Sequence, residues 1–183
     1  MTAALDALAQ RVDDLASVAE RTDGTVTAEH VPFLAQVDLR LDPSRAGLAP
    51  YPLPMTPNTA WEDGPRAALW LGPDEWMILG PPHAGANIVA QLETALGGEV
   101  HRSVVDVSAS RVAIELGGPE RFELLSKGCS LDLHPRAWRR GLCAQTMLAR
   151  AQVIMHERER TTGLLVRSSF ADYLVDRLLA TLG

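Results

Sequence analysis

The chain has few of the residues that metal, redox or membrane chemistry requires. Its 183 residues include two cysteines, Cys129 and Cys143, which are not spaced as Cys-x-x-Cys and so exclude a zinc ribbon and a thioredoxin-type site. A single cysteine pair in a chain without a secretory leader predicts two reduced, buried thiols. No apolar run approaches the roughly 20 residues that span a bilayer. Asp6, Arg11 and Asp13 interrupt any leader-like apolar segment. We therefore expect a cytoplasmic protein with no membrane partner.

Nucleotide-binding and nucleophile motifs are also missing. Gly97-Gly98 and Gly117-Gly118 lack the G-x-G-x-x-G spacing and the lysine of a P-loop. None of the five histidines is paired with another ligand at helical spacing, as catalytic zinc motifs require. Ser108 and Ser168-Ser169 lack a G-x-S-x-G turn, and Cys143 is expected to be a small core residue. The net charge of −6 argues against non-specific nucleic-acid binding, which needs a basic face.

Short predicted strands alternate with predicted helices along the chain. Two apolar runs flank Gly72-Pro73-Asp74-Glu75, where Pro presets φ at the second turn position and Asp suits the third, so a hairpin is predicted. In the first half of the chain, the patterns predict a helix over 5–21, then a strand over 31–41 with Phe33, Ala35, Val37, Leu39 and Leu41 on one face, and then the hairpin over 70–79. A helix over 86–96, strands over 100–107 and 111–116, and a helix opened by Gly117-Gly118-Pro119 are predicted next. The remaining patterns predict apolar strands over 142–156 and 164–166 around a solvated tip at 157–163, and a final helix in which Phe170, Tyr173, Leu174, Leu178 and Leu179 face inward. This order predicts an α+β fold with antiparallel or mixed sheets and helices packed on them.

The segment 43–65 is rich in proline. It holds six prolines, so it cannot form a helix or a central strand. It also carries large apolar side chains, which a disordered linker would lack. We expect an irregular arm that lies on a protein surface and is partly exposed or mobile in the isolated chain. The predicted organisation is an N-terminal helix, strand and arm over 1–65, followed by an α+β core over 66–183.

Two aspartates and two arginines are the candidate chemical groups. Asp106 and Asp132 have apolar neighbours and could be buried general bases with a raised pKa. The alternative, which we favour, is that each caps a turn through backbone amides. Arg111 and Arg167 lie in apolar strands, where an arginine pairs with a carboxylate, contacts a partner chain or binds an anion.

The tryptophans divide into two groups by context. Trp70 and Trp76 lie in the apolar hairpin and are expected in the core. Trp138 lies in a polar segment, and tryptophan and arginine are enriched at interfaces. The sequence therefore predicts a contact patch formed by Trp138 with Arg136, Arg139 and Arg140.

Several segments carry a family resemblance. These are the hairpin Trp70 to Leu79, Asp106-Val107-Ser108, the run Arg140 to Thr146, and Arg167 to Leu174. Together they closely resemble the gamma subunits of heterotetrameric sarcosine oxidases. The resemblance runs from about residue 54 to the C-terminus, and it implies a truncated version of the folate-dependent aminomethyltransferase fold.

The resemblance also implies a function. The complex would oxidatively demethylate sarcosine to glycine, with O2 as acceptor and the one-carbon unit passed to tetrahydrofolate. FAD, FMN, NAD, tetrahydrofolate and zinc are expected on the alpha, beta and delta partner subunits. No catalytic, cofactor-binding or metal residue is assigned to this chain, which is expected to be a structural subunit. The alternative is a stand-alone folate-binding aminomethyltransferase-like protein, with Asp106 or Asp132 as its general base and Arg111 or Arg167 holding the folate glutamate.

Overall fold

The computed structural model describes residues 25–98 and 100–182, together with Gln10, Val12 and Asp13. The helix predicted over 5–21 otherwise lies outside the described residues. The chain forms two compact units. The central unit comprises Phe33–Ser110 and Gly141–Ala144, and the terminal unit comprises Arg111–Arg140 with the described parts of Met1–Pro32 and Gln145–Gly183. The boundary expected between residues 65 and 66 falls inside the central unit.

The central unit is built on an antiparallel sheet of five strands with one helix against it. In spatial order its strands are β3 (Ala60–Asp63), β4 (Arg66–Gly72), β5 (Glu75–Gly80), β2 (Ala35–Leu41) and β6 (Arg102–Asp106). The predicted β4–β5 hairpin is confirmed, with Gly72 and Glu75 paired across its turn. Helix α1 (Gly85–Leu96) buries Ile88, Leu92 and Leu96 in the same core as β2 and Trp76. It stops at Gly97, whose φ of 68° suits glycine.

The strand predicted over 31–41 is divided. A turn at Pro32–Leu34 separates β1 (Thr27–Val31), in the other sheet, from β2. The apolar face of β2 is buried as predicted, but Phe33 has a φ of 57° and is 51% exposed. The prediction that Phe33 faces the core is wrong, because this residue turns the chain and does not belong to the strand.

The proline-rich arm covers the core of its own unit. It begins with a 3-10 turn over Pro43–Leu48 and continues without regular structure to β3. Tyr51 and Leu53 are buried in the core, and Pro54 accepts a hydrogen bond of 2.8 Å from the indole of Trp76. Leu48 and Met55 remain exposed, as expected for part of the arm. Its mobility stays a prediction.

The terminal unit contains the second sheet. Its order is β1, β7 (Arg111–Gly117), β10 (Thr161–Arg167), β9 (Ala151–Glu157) and β8 (Cys143–Leu148), and the first four strands pair antiparallel. Helix α2 (Arg121–Ser126) buries Leu124 and Leu125. Helix α3 (Ala171–Leu182) buries Leu174, Val175 and Leu178. None of the helices in the described part of the chain is long and apolar enough to cross a membrane.

Two predictions for this unit need correction. The solvated tip expected over 157–163 is confined to residues 158–160, where Glu159 and Arg160 are exposed, because Glu157 ends β9, Thr161 begins β10, and Glu157 and Thr162 are 2% and 0% exposed. Phe170 and Tyr173 were expected to face inward but are 42% and 37% exposed. Phe170 lies in a 3-10 turn over Ser168–Phe170 that precedes α3, and Tyr173 lies in α3 outside its buried stripe of Ala171, Leu174, Val175 and Leu178.

A substitution at Gly85 would test how α1 packs against Asp106 in the central unit. A Cβ at this first residue of α1 would lie 2.1 Å from Oδ2 of Asp106, whereas one at Gly98 would meet no atom within 4 Å. We expect Gly85→Ala to lower the free energy of unfolding by about 1 kcal/mol, because the exposed Asp106 carboxylate must move aside and give up its cap on Ser108, and Gly98→Ala to change it by less than about 0.5 kcal/mol. Urea unfolding followed by tryptophan fluorescence measures both. In a double-mutant cycle, Asp106→Ala should recover most of the loss; strictly additive effects would contradict the predicted contact.

Candidate functional site

The most concentrated polar chemistry in the described residues surrounds Glu157. This carboxylate is 2% exposed, and its Oε1 accepts a hydrogen bond of 2.7 Å from Nη2 of Arg121. Its Oε2 accepts one of 2.9 Å from the indole of Trp138 and one of 2.5 Å from the hydroxyl of Thr162. Both carboxylate oxygens are therefore satisfied inside the unit, as a buried charge requires.

Sheet register and a helix start place these groups together. Thr162 on β10 is the cross-strand partner of Glu157 on β9. Arg121 begins α2, donates from Nη1 to the carbonyl of Gly118 at 3.0 Å, and lies over the ring of Phe122 with 4.1 Å from its guanidinium carbon to the centroid. These contacts hold the guanidinium plane toward Glu157, so the cluster ties the β9–β10 hairpin to the start of α2.

This cluster is not evident from the sequence, because the alternating charges of residues 157–160 are typical of a solvated turn. Successive strand residues point to opposite faces, and Glu157 points inward. Arg158 instead pairs with Oε1 of Glu115 at 3.3 Å, and its backbone N–H closes the turn on the carbonyl of Thr161. The sequence contains one signal that Glu157 is buried: this residue directly follows the long apolar run that forms β9.

Trp138 does not form the predicted contact patch. It is 5% exposed, and its indole is committed to Glu157, whereas Arg136, Arg139 and Arg140 are exposed. The prediction of a tryptophan-centred patch is wrong, because the indole N–H of Trp138 donates to Glu157, a buried acceptor that lies 19 residues further along the chain.

Both candidate aspartates cap turns. Oδ1 of Asp106 accepts hydrogen bonds from the backbone N–H and the hydroxyl of Ser108, at 3.0 and 2.5 Å. Oδ1 of Asp132 accepts one of 3.0 Å from the backbone N–H of His134. The capping interpretation is confirmed, and neither carboxylate is held in the apolar, unpartnered setting that makes a general base.

The two candidate arginines are brought together. Arg111 on β7 and Arg167 on β10 are direct cross-strand partners at the same end of the sheet. Arg167 is exposed and Arg111 is half-buried. Each arginine stands out in the sequence, but their pairing depends on the register of β7 and β10, which local patterns do not determine.

Neither cysteine forms a disulfide. Burial raises the pKa of the Cys143 thiol to about 12, and its Sγ lies 3.2 Å from the carbonyl oxygen of Thr59 and 3.4 Å from that of Trp70. The thiol is therefore protonated at neutral pH and is a core group, as predicted. Cys129 is half-buried, so the prediction of two buried thiols is right for Cys143 and wrong for Cys129. Among the described residues, no group of three or more His, Cys, Asp or Glu side chains is arranged to hold a metal ion.

Comparison with known proteins identifies the family. The family model described as "Sarcosine oxidase, gamma subunit family" matches residues 51–180. The chain belongs to the sarcosine oxidase gamma subunit family. It is 36% identical to a sarcosine oxidase subunit gamma of Corynebacterium sp. (strain P-1), over 86% of this chain and 80% of that protein. It is 34% identical to one from an Arthrobacter species over the same shares.

Solved structures agree with this family and with the fold. The heterotetrameric sarcosine oxidase of Corynebacterium sp. U-96, in complex with pyrrole 2-carboxylate, contains a chain that matches with a TM-score of 0.77 and 31% identity, over 86% of this chain and 83% of that one. Aminomethyltransferase T of the glycine cleavage system from Bartonella henselae matches with a TM-score of 0.66 and 12% identity, over 88% of this chain and 48% of that one. This gamma-family chain therefore has an α+β fold that corresponds to part of the aminomethyltransferase fold, as predicted.

The Glu157 cluster lies within the range that the gamma subunit family model matches. Glu157→Gln turns one carboxylate oxygen into an NH2 group that faces donors, and it leaves the partly buried Arg121 without its counter-charge. We expect the free energy of unfolding to fall by about 3 kcal/mol. Glu159→Gln is the matched control, because that side chain is 73% exposed, and its effect should stay below about 0.5 kcal/mol. Equal urea midpoints for the two variants would show that the cluster does not stabilise the unit.

The Cys143 thiol gives a prediction about pH and reactivity. Because its pKa is raised from 9.0 to about 12 in the folded chain, the protonated thiol contributes stability below pH 9 that is lost as the pH rises toward 12. At pH 8 a disulfide reagent should label Cys143 only after denaturant is added, and Cys143→Ala should abolish that late reaction. Rapid labelling of Cys143 in the native chain would contradict this result.

Proposed function

We propose that this chain is a non-catalytic structural subunit of a cytoplasmic heterotetrameric sarcosine oxidase, which oxidatively demethylates sarcosine to glycine. Its partners would be the alpha, beta and delta subunits, and FAD, FMN, NAD, tetrahydrofolate and zinc would be bound by those partners. The observation that carries the proposal is the match to a chain of the Corynebacterium heterotetramer, with a TM-score of 0.77 over 83% of that chain.

The chemistry of the described residues supports a structural role. The groups that most resemble catalytic ones are used within the fold: Glu157 accepts three hydrogen bonds, and Asp106 and Asp132 cap turns. The buried thiol of Cys143 is protonated because burial raises its pKa. A general base or nucleophile needs a free acceptor or a lowered thiol pKa that substrate can reach.

A stand-alone folate-binding transferase is the alternative function. It would use Asp106 or Asp132 as general base and Arg111 or Arg167 to hold the folate glutamate. The two aspartates belong to different units, and each already accepts a turn hydrogen bond. The chain also spans 48% of aminomethyltransferase T. These observations favour the subunit, and folate binding is an outcome of the experiment below.

Co-expression of the tagged chain with the alpha, beta and delta subunits of its own organism tests the proposal. We expect the tag to retrieve all three partners in equal amounts, with flavin absorbance and sarcosine-dependent O2 consumption. The same chain purified alone should show no flavin absorbance, no turnover of sarcosine and no calorimetric heat with tetrahydrofolate. Turnover or stoichiometric flavin with the lone chain would overturn the structural role, and micromolar folate binding would favour the transferase.

A further inference from the structure

An exposed arginine and two aromatic rings lie close together in the chain at one end of the terminal sheet, and a second arginine is the cross-strand partner of the first. Arg167 is the last residue of β10, Phe170 ends the 3-10 turn that follows, and Tyr173 lies in the first turn of α3. Arg111, across the sheet from Arg167, is the fourth member. We call these four residues the arginine–aromatic patch.

The charge of the patch differs from that of the whole chain. The chain has a net charge of −6, yet here two guanidinium-bearing residues are direct cross-strand partners. Like charges in directly opposed positions of an antiparallel pair repel each other. Arg111 and the nearby Asp172 are both engaged within the chain, and Arg167 is the exposed charge. An added carboxylate would be attracted to this end of the sheet.

The two rings provide apolar area beside that charge. Phe170 and Tyr173 form an edge-to-face pair with centroids 6.4 Å apart and an interplanar angle of 89°. They are 42% and 37% exposed, because α3 is already anchored by Leu174, Val175 and Leu178. The chain has three phenylalanines and two tyrosines, so two of its five such rings are exposed side by side here. Exposed aromatic residues next to arginine are typical of interface hot spots.

We propose that the arginine–aromatic patch docks an acidic segment of a partner subunit, in which a carboxylate pairs with Arg167 and a neighbouring apolar side chain packs on Phe170 and Tyr173. The rings favour a polypeptide over a small anion, which would use the arginines alone. This inference rests on the proposed function, since it names a surface through which the subunit joins its complex.

Assembly of the co-expressed four-subunit complex tests the docking surface. The variants are Arg167→Glu and the double variant Phe170→Ala/Tyr173→Ala. The controls are Arg45→Glu, an exposed arginine, and Met55→Ala, a side chain that is 54% exposed. Retention of the chain in the complex is followed on dilution by native mass spectrometry. We expect each patch variant to raise the dissociation constant about tenfold or more and the controls to change it less than about twofold, with urea midpoints of the isolated chains unchanged. Added salt should weaken the wild-type complex more than the Arg167→Glu complex.

The outcomes separate the two proposals. If the wild-type chain does not enter the complex, the proposed function fails and the docking surface fails with it. If the wild type and both patch variants assemble equally well, the docking surface alone is refuted. If Arg167→Glu weakens assembly but the ring variant does not, the proposed packing of a partner side chain on Phe170 and Tyr173 is refuted.

Discussion

The buried charge of Glu157 imposes the strongest single constraint on the terminal unit. A carboxylate removed from water must be matched by donors, and here a guanidinium, an indole and a hydroxyl supply them. The donors come from the start of a helix, a loop and the paired strand. Three elements must therefore form together: the β9–β10 hairpin, the start of α2 and the loop that carries Trp138. If one of them were missing, the others would bury a polar group without its hydrogen-bond partner, which is costly.

The same principle applies to three other groups of the chain. Asp106, Asp132 and the Cys143 thiol resemble reactive groups in sequence, and each is used by a nearby turn or by burial in the core. The exposed charges include Arg167, which lies three residues before the exposed ring of Phe170. An exposed arginine followed by exposed aromatic side chains is typical of surfaces that contact other proteins.

The family relationship gives this arrangement a context. The chain shares its fold with part of an aminomethyltransferase and its sequence with gamma subunits of sarcosine oxidase. A fold can be retained while its chemistry is lost, since function depends on particular side chains and not on the architecture that carries them. The capped aspartates agree with the structural role proposed for this chain.

Local patterns in the sequence determined the regular elements. The Pro73-Asp74 turn fixed the β4–β5 hairpin, alternation fixed the buried face of β2, and helical spacing with Gly97 fixed α1 and its end. Turn chemistry alone also predicted the caps at Asp106 and Asp132. These features depend on neighbours within a few residues, so the printed sequence contains the information that decides them.

Only the tertiary structure decided which polar and aromatic side chains are buried. Glu157 and Trp138 looked solvated, and Phe170 and Tyr173 looked buried, yet the reverse holds for all four. The environments of Glu157 and Trp138 depend on groups that are distant along the chain, such as Arg121, and those of Phe170 and Tyr173 depend on which face of α3 packs on the unit. A charged side chain can be buried only where hydrogen-bond donors from several segments surround it. The periodicity of one segment does not predict where those donors lie.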